Sequence, residues 1–245
     1  MNEESLQIVQ ETFPGAMGAD QLIRRVLSVI DEQWSVEAGR VLFADSICAD
    51  DINSIQAPDA MADMLGPFRL GGLNGFPFTG PTGMGAYAHH VPDDGVMFVL
   101  YGPHIGVSRS GEVGVMLRPG QTGNSACCGA ATAALGKLDQ LQAGTTNELD
   151  FQQNAIEQML LGEKDRIQKA SNQMIAATEV VYDKTTERLR QIVSMTKFPC
   201  PRLVLVGGMV INGDHDMGMF FDVRRFVHID THSPERVEVD WSSYL

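Results

Sequence analysis

The sequence predicts an α/β fold with a mainly parallel central sheet flanked by helices. Three observations carry this. "VMFVLYGPH" (96–104) and "RLVLVGGMVIN" (202–212) are uninterrupted apolar runs, the pattern of strands buried on both faces. Stretches with apolar residues at helical spacing lie around them, at 20–37 and 150–196. Buried strands alternating with helices indicate a parallel sheet covered on both sides. With 245 residues and a hydrophobic share of 44%, one domain can bury a sizeable core without disulfide staples.

In chain order, residues 20–37 place Leu22, Ile23, Val26, Leu27 and Ile30 on one helical face. Asp20 is the expected N-cap and Gly39 the terminator. "RVLFADSIC" (40–48) is a short strand closing on Cys48, and "DDINSIQAPDAMADML" reads as a loop with a short helix. Residues 66–85 are rich in glycine and proline but interleaved with Phe68, Leu70, Leu73, Phe76 and Phe78. Such anchors predict a loop packed tightly on the body rather than a flexible linker. The lysine of a GxxxxGK[ST] phosphate loop is absent from it. The strand at 96–104 ends at His104, and "GEVGVMLRPG" is expected to be another. "SACCGAATAALGKLDQLQ" (125–142) reads as a helix with Ser125 as N-cap.

Residues 150–196 form one or two long amphipathic helices, with Ile156, Met159, Leu160, Ile167, Met174 and Ile175 recurring at helical spacing. "FFDVRRFVHIDTH" alternates and suits a strand nearer the edge. There is no internal repeat. The expectation is one domain over 1–245, with an N-terminal helical arm (1–38) and a long helical insertion (150–197).

Net charge is −13, from 18 basic and 31 acidic residues, with no basic cluster. That argues against nucleic acid and anionic membrane as partners. No apolar run reaches the ~20 residues of a membrane span. "MNEESLQIVQETFPG" lacks the apolar core of a secretory signal. A cytoplasmic location is expected, with a plastid stroma as the alternative if a transit peptide has been cleaved. Cys48 and Cys200 have no local partner, which fits a reducing compartment.

In parallel sheets, ligands bind beyond the C-terminal strand ends. One predicted strand ends at Cys48, with Asp50 two residues on; another ends at His104; a helix starts near Cys127 and Cys128. Thiolates and an imidazole suit Zn²⁺. A helix N-terminus favours the thiolate form of a cysteine. Three protein ligands leave a fourth position open, where water acidifies to a pKa near ~7. The spacing is neither CxxC nor HExxH, and each residue alone also reads as a small buried side chain or a structural histidine. The cysteine doublet also admits a thiol-redox pair. His215, His228 and His232 are expected at the surface or sheet edge.

"CADDIN" (48–53), "LGGLNGFPFTGPTGMGAYAHHVPDDG" (70–95), "YGPHIGVSRSGEVG" (101–114) and "RPGQTGNSACCGA" (118–130) resemble the limiting-CO2-inducible protein B/C family over roughly residues 13–230. That family is related to the theta-type carbonic anhydrases and has a β-carbonic-anhydrase-like fold. The resemblance implies zinc held by Cys48, His104 and Cys128, with Cys127 left to packing. Asp50 matches the acidic residue of the family's Cys-x-Asp motif. Ile52 stands where β-type enzymes carry an arginine, so Arg118 is the expected partner of Asp50 and Arg69 the second choice. The implied function is a zinc carbonic anhydrase hydrating CO2 to bicarbonate by zinc-bound hydroxide. The alternative is an inactive zinc-binding member serving inorganic-carbon uptake or a CO2-concentrating complex. A homodimer or larger homo-oligomer is implied as well. One of His89 and His90 could replace His104 as ligand or transfer protons, with a structural histidine as the alternative, and Tyr87, Phe76 and Phe78 suit either the apolar wall of a CO2 pocket or the core.

Overall fold

The two longest apolar runs lie side by side in the middle of an eight-stranded sheet. The computed structural model describes residues 3–245. Its first half contains α1 (Glu3–Thr12), β1 (Ala16–Gly18), α2 (Ala19–Trp34), β2 (Val41–Ser46), α3 (Ile52–Ile55), β3 (Leu65–Arg69), α4 (Gly80–Ala88) and β4 (Val96–Tyr101). Next come β5 (His104–Val107), β6 (Val115–Met116), β7 (Ser125–Ala126), α5 (Gly129–Lys137), α6 (Phe151–Gly162), α7 (Lys164–Lys169) and α8 (Gln173–Met195). The chain ends with β8 (Arg202–Gly213), β9 (Met219–Asp230) and β10 (Glu238–Asp240).

The strand order is β1-β9-β8-β4-β2-β3, with β5 also paired to β8 and β10 to β9. Neighbours from β3 to β8 run parallel, as does β5; β9 is antiparallel to β8, and β1 and β10 are antiparallel to β9. The sheet is therefore mostly parallel, with an antiparallel flank. Every residue of β2 and β4 is buried. Val41, Phe43, Phe98 and Leu100 join the core that contains α2. Leu42, Ala44, Met97 and Val99 join the core made with α4 and α8. The two-residue period of a strand makes that division, and helices on both faces make it stable.

Several local details depart from the sequence reading. Leu22, Ile23, Val26, Val29 and Ile30 of α2 are fully buried against the sheet. The segment expected as an arm is therefore part of the main core, and its apolar face is not free for a subunit contact. Residues 1 and 2 of that segment lie outside the described residues. Gly18 occupies the N-cap of α2, because Asp20 accepts the Ala60 amide at 2.8 Å and pairs with Arg24. The helix stops at Ser35, whose φ of 53° ends it before Gly39. Residues 150–197 hold three helices rather than one or two, with the Asn172 side chain capping α8 through the Met174 and Ile175 amides. Among the described residues no helix is long and apolar enough to cross a membrane.

The glycine-rich stretch is not a single loop. It contains the edge strand β3, a 3-10 turn at Leu73–Gly75 and α4. Two glycines decide how it packs. Gly75 has a φ of +76°, and a Cβ there would sit 2.2 Å from the Gly102 carbonyl oxygen. Gly102 has a φ of +150°, and its Cβ would sit 1.8 Å from the Gly208 oxygen. Only glycine lets three backbones stack this closely. The stack brings the turn after β3, the junction between β4 and β5, and the middle of β8 together.

Candidate metal centre

The stacked segments deliver three potential ligands to one place. Cys48 lies two residues beyond β2, where its Sγ accepts the Asn74 amide at 3.1 Å and its carbonyl accepts Asn53 Nδ2 at 3.1 Å. His104 does not end β4. Gly102 and Pro103 break the strand, and His104 opens β5, still beyond the C-terminal end of β4. Cys128 is the N-cap of α5. The expected cap, Ser125, belongs instead to β7, which pairs with β6, so the helix begins later than its composition suggests.

The ligand atoms of Cys48, His104 and Cys128 all lie within 4.8 Å of one another, and all three residues are buried. The two sulfurs are 3.9 Å apart. Tetrahedral geometry with Zn–S bonds of about 2.3 Å puts two thiolates roughly 3.8 Å apart. Asn212 Oδ1 lies 2.8 Å from His104 Nδ1. His104 Nε2 is buried with no protein hydrogen-bond partner. A buried ring nitrogen left over beside two sulfurs is the arrangement a soft-ligand metal completes. The group can hold a metal ion.

The electrostatics agree. Burial pushes the His104 imidazole down, but the sulfurs of Cys128, Cys127 and Cys48 outweigh it and hold the ring well above its ordinary value. The pocket thus favours positive charge. The two facing thiols share one easily formed negative charge. Their mutual contact holds Cys48 well below the usual thiol range and pushes Cys128 above it. Cys48 Sγ also takes the Asn74 N–H, which adds to the preference for a negative charge on the pair.

Cys127 Sγ lies 3.5 Å from His104 Nδ1, the nitrogen that Asn212 also reaches, and Cys127 packs with Ile52 and Met116. Among the described residues all four cysteines are free thiols.

Asp50 is next to the cluster, its Oδ2 3.9 Å from His104 Nε2. Arg118 holds both of its oxygens, Nη1 to Oδ1 at 2.8 Å and Nη2 to Oδ2 at 2.7 Å. Burial works against ionisation of Asp50, but the Arg118 bonds win and hold the carboxyl at about 2. Arg118 in turn reaches Ser125 Oγ at 3.1 Å. The segment carrying Arg118 hangs on Asp214, just past β8. Its carboxylate accepts the Leu117 amide at 2.7 Å and the Arg109 amide at 3.0 Å, while the His215 amide donates back to the Leu117 carbonyl.

Arg69 pairs with Asp45 instead. Both line a cavity of about 240 Å³ that also reaches Cys48, Asp50 and Asn53. Burial raises the Asp45 carboxyl to about 6 against the pull of Arg69. A folded-state pKa above the ordinary ~3.9 means the fold resists ionisation, so stability falls as pH rises from about 4 to about 6 and then levels. Asp45→Asn is expected to stabilise the protein by about 1–3 kcal/mol more at roughly pH 8 than at roughly pH 4. Equal shifts of melting temperature at the two pH values would contradict this.

The remaining expected residues lie elsewhere. Tyr87 is a core residue whose hydroxyl donates to the Leu42 carbonyl at 2.8 Å, and Phe76 packs on Phe78, Ala134 and Ile156. Neither belongs to the cluster around the thiols. The apolar neighbours of Cys48 and Cys128 are Ala130, Ala131 and Met174. His89 and His90 are exposed at the end of α4, ahead of β4, whereas the cluster lies beyond the other end of that strand. His90 contacts Phe68. His215 and His232 are exposed, and His228, on β9, is partly buried. Sequence pattern does not single out Asn53, Asn74 or Asn212. The one signal available is a polar residue, Asn212, closing a buried apolar strand.

A family model described as limiting CO2-inducible proteins B/C beta carbonic anhydrases matches residues 16–230. The chain belongs to this family. Among solved structures of limiting-CO2-inducible proteins, PtLCIB4, a homolog of the limiting CO2-inducible protein LCIB, is 32% identical with a TM-score of 0.83, covering 96% of this chain and 98% of its own. A single-residue mutant of the same protein gives 32% and 0.79, with 96% and 98% covered. LCIB itself shares the fold at 19% identity and a TM-score of 0.69, over 93% of this chain and 95% of its own. No curated protein matches the chain. The limiting-CO2-inducible assignment fits the mostly parallel sheet flanked by helices.

Proposed function

We propose that this family member is a zinc-dependent carbonic anhydrase, hydrating CO2 reversibly to bicarbonate, with zinc held by Cys48, His104 and Cys128. The observation carrying the reading is the Asp50 carboxylate, held by the two-pronged Arg118 bond with its Oδ2 3.9 Å from the free His104 Nε2. Zinc in such a site supplies a hydroxide nucleophile from water near neutral pH. Asp50, kept ionised, accepts the hydrogen of the attacking oxygen and so aims a lone pair at CO2. Arg118 keeps Asp50 from closing onto the metal position, since a charge-assisted fork is both strong and directional. Ala131 and Met174 supply apolar surface beside the thiols, which suits an uncharged substrate. The same reading takes the protein as a cytoplasmic homo-oligomer.

Stopped-flow CO2 hydration by reduced, zinc-loaded protein tests the activity. Turnover that rises with zinc occupancy supports it. Full occupancy without turnover at any pH between about 7 and 9 replaces it with the inactive zinc-binding alternative.

A further inference from the structure

We propose that Asn212 is a positioning residue of the metal centre: its amide sets which nitrogen of His104 faces the thiols and ties that ring to the loop carrying Cys48. The inference rests on the reading of Cys48, His104 and Cys128 as the ligand set.

Asn212 lies near the end of β8, fully buried at the close of an otherwise apolar run. A buried polar side chain is disfavoured unless its hydrogen bonds are made. Here they all are. Nδ2 faces two oxygens, Asn53 Oδ1 at 3.2 Å and Gln56 Oε1 at 3.0 Å, so it donates to both. That fixes the amide orientation and turns Oδ1 to the imidazole, 2.8 Å from Nδ1. An oxygen acceptor at Nδ1 requires the hydrogen on Nδ1. The Nε2 lone pair is then directed into the pocket, where the ring nitrogen has no protein partner.

The other half of the amide works on the second ligand. Asn53, which takes one Nδ2 hydrogen, donates its own amide to the Cys48 carbonyl at 3.1 Å. Gln56, which takes the other, donates to the carbonyls of Gly213 and Asp214. One side chain therefore sets the tautomer of one ligand and braces the loop of another. An amide does this without adding charge to a pocket already holding two thiols and near Asp50. Outer hydrogen bonds of this kind orient ligands and typically change metal affinity by about 10–100-fold when removed.

The test is the zinc affinity of the full chain, measured by chelator competition, beside urea unfolding of the metal-free protein. Asn212→Leu keeps the branched outline of the side chain and removes the acceptor. Its zinc affinity is expected to fall about 10–100-fold, beyond any change in metal-free stability. Asn212→Asp keeps an acceptor at Nδ1 but loses the donor to Asn53 and Gln56, and is expected to recover part of the loss. Leucine and parent proteins with equal affinity, or an aspartate variant as weak as the leucine one, would overturn the proposal. Nitrogen-15 spectra of the His104 ring in the zinc-loaded parent decide it even if Asn212→Leu does not fold. Hydrogen on Nδ1 and metal on Nε2 is the expected result, and the reverse tautomer overturns it. A parent chain that takes up no zinc sinks both this proposal and the proposed function; zinc uptake indifferent to Asn212 sinks only this one.

Discussion

Cys128→Ser is expected to lose the metal and the activity together. Zinc content should fall from about one ion per chain to below roughly a tenth, and CO2 hydration by at least about 10³-fold. The reason lies in the donor set. A serine hydroxyl does not ionise near neutral pH, so one of three ligands disappears and the remaining pair cannot hold zinc against water. His104→Ala and Cys48→Ser should behave alike, since each takes one corner from a group whose ligand atoms lie within 4.8 Å. Cys127→Ser is the informative neighbour. Its sulfur lies 3.5 Å from His104 Nδ1, the nitrogen that Asn212 also reaches, so zinc should stay bound. Elemental analysis of the purified variants checks all four. Retention by Cys128→Ser with loss in Cys127→Ser would reverse the assignment within the doublet.

Arg118→Ala should separate metal binding from turnover. Zinc remains, because Arg118 touches no ligand atom, yet kcat should fall about 10²–10³-fold, the range seen when a charge-positioning donor is removed. Without the guanidinium, Asp50 loses the two bonds that hold it at about 2 and is free to move onto the metal position. Arg118→Lys keeps the charge but not the fork, and should recover only part of the rate. Arg69→Ala is the control: its half-exposed guanidinium pairs with Asp45 rather than Asp50, and its loss should change kcat by less than about threefold. A large rate loss in Arg69→Ala, with Arg118→Ala unaffected, would exchange their roles.

The parts of the molecule legible in the sequence are those governed by short-range pattern. The runs around Val96–Tyr101 and Arg202–Gly213 read as buried strands, because helices cover both faces of the sheet and leave no reason for a polar alternation. Cys48, His104 and Cys128 can be nominated from strand and helix ends, although only the family resemblance picks Cys128 over Cys127. What pattern cannot supply is the distant partner. Ser125 has every local quality of a cap, but Met116 pairs with it across a small antiparallel ladder. Asp20 is likewise drawn from capping by the amide of Ala60, forty positions on. The amide network around Asn212 joins residues 53, 56, 104 and 212, separations over which sequence spacing carries no signal.

Asp214 gives the site a form of mechanical insulation. Between Arg109 and Leu117 the chain makes an excursion, from the turn at Ser108–Gly111 back along β6. Both ends of that stretch are pinned to one carboxylate, so movement of the residues between them is not passed on beyond Leu117. Arg118 is the first residue beyond the second pin. It therefore takes its stillness from β8 rather than from the excursion that precedes it, and the surface can fray while the fork on Asp50 keeps its aim.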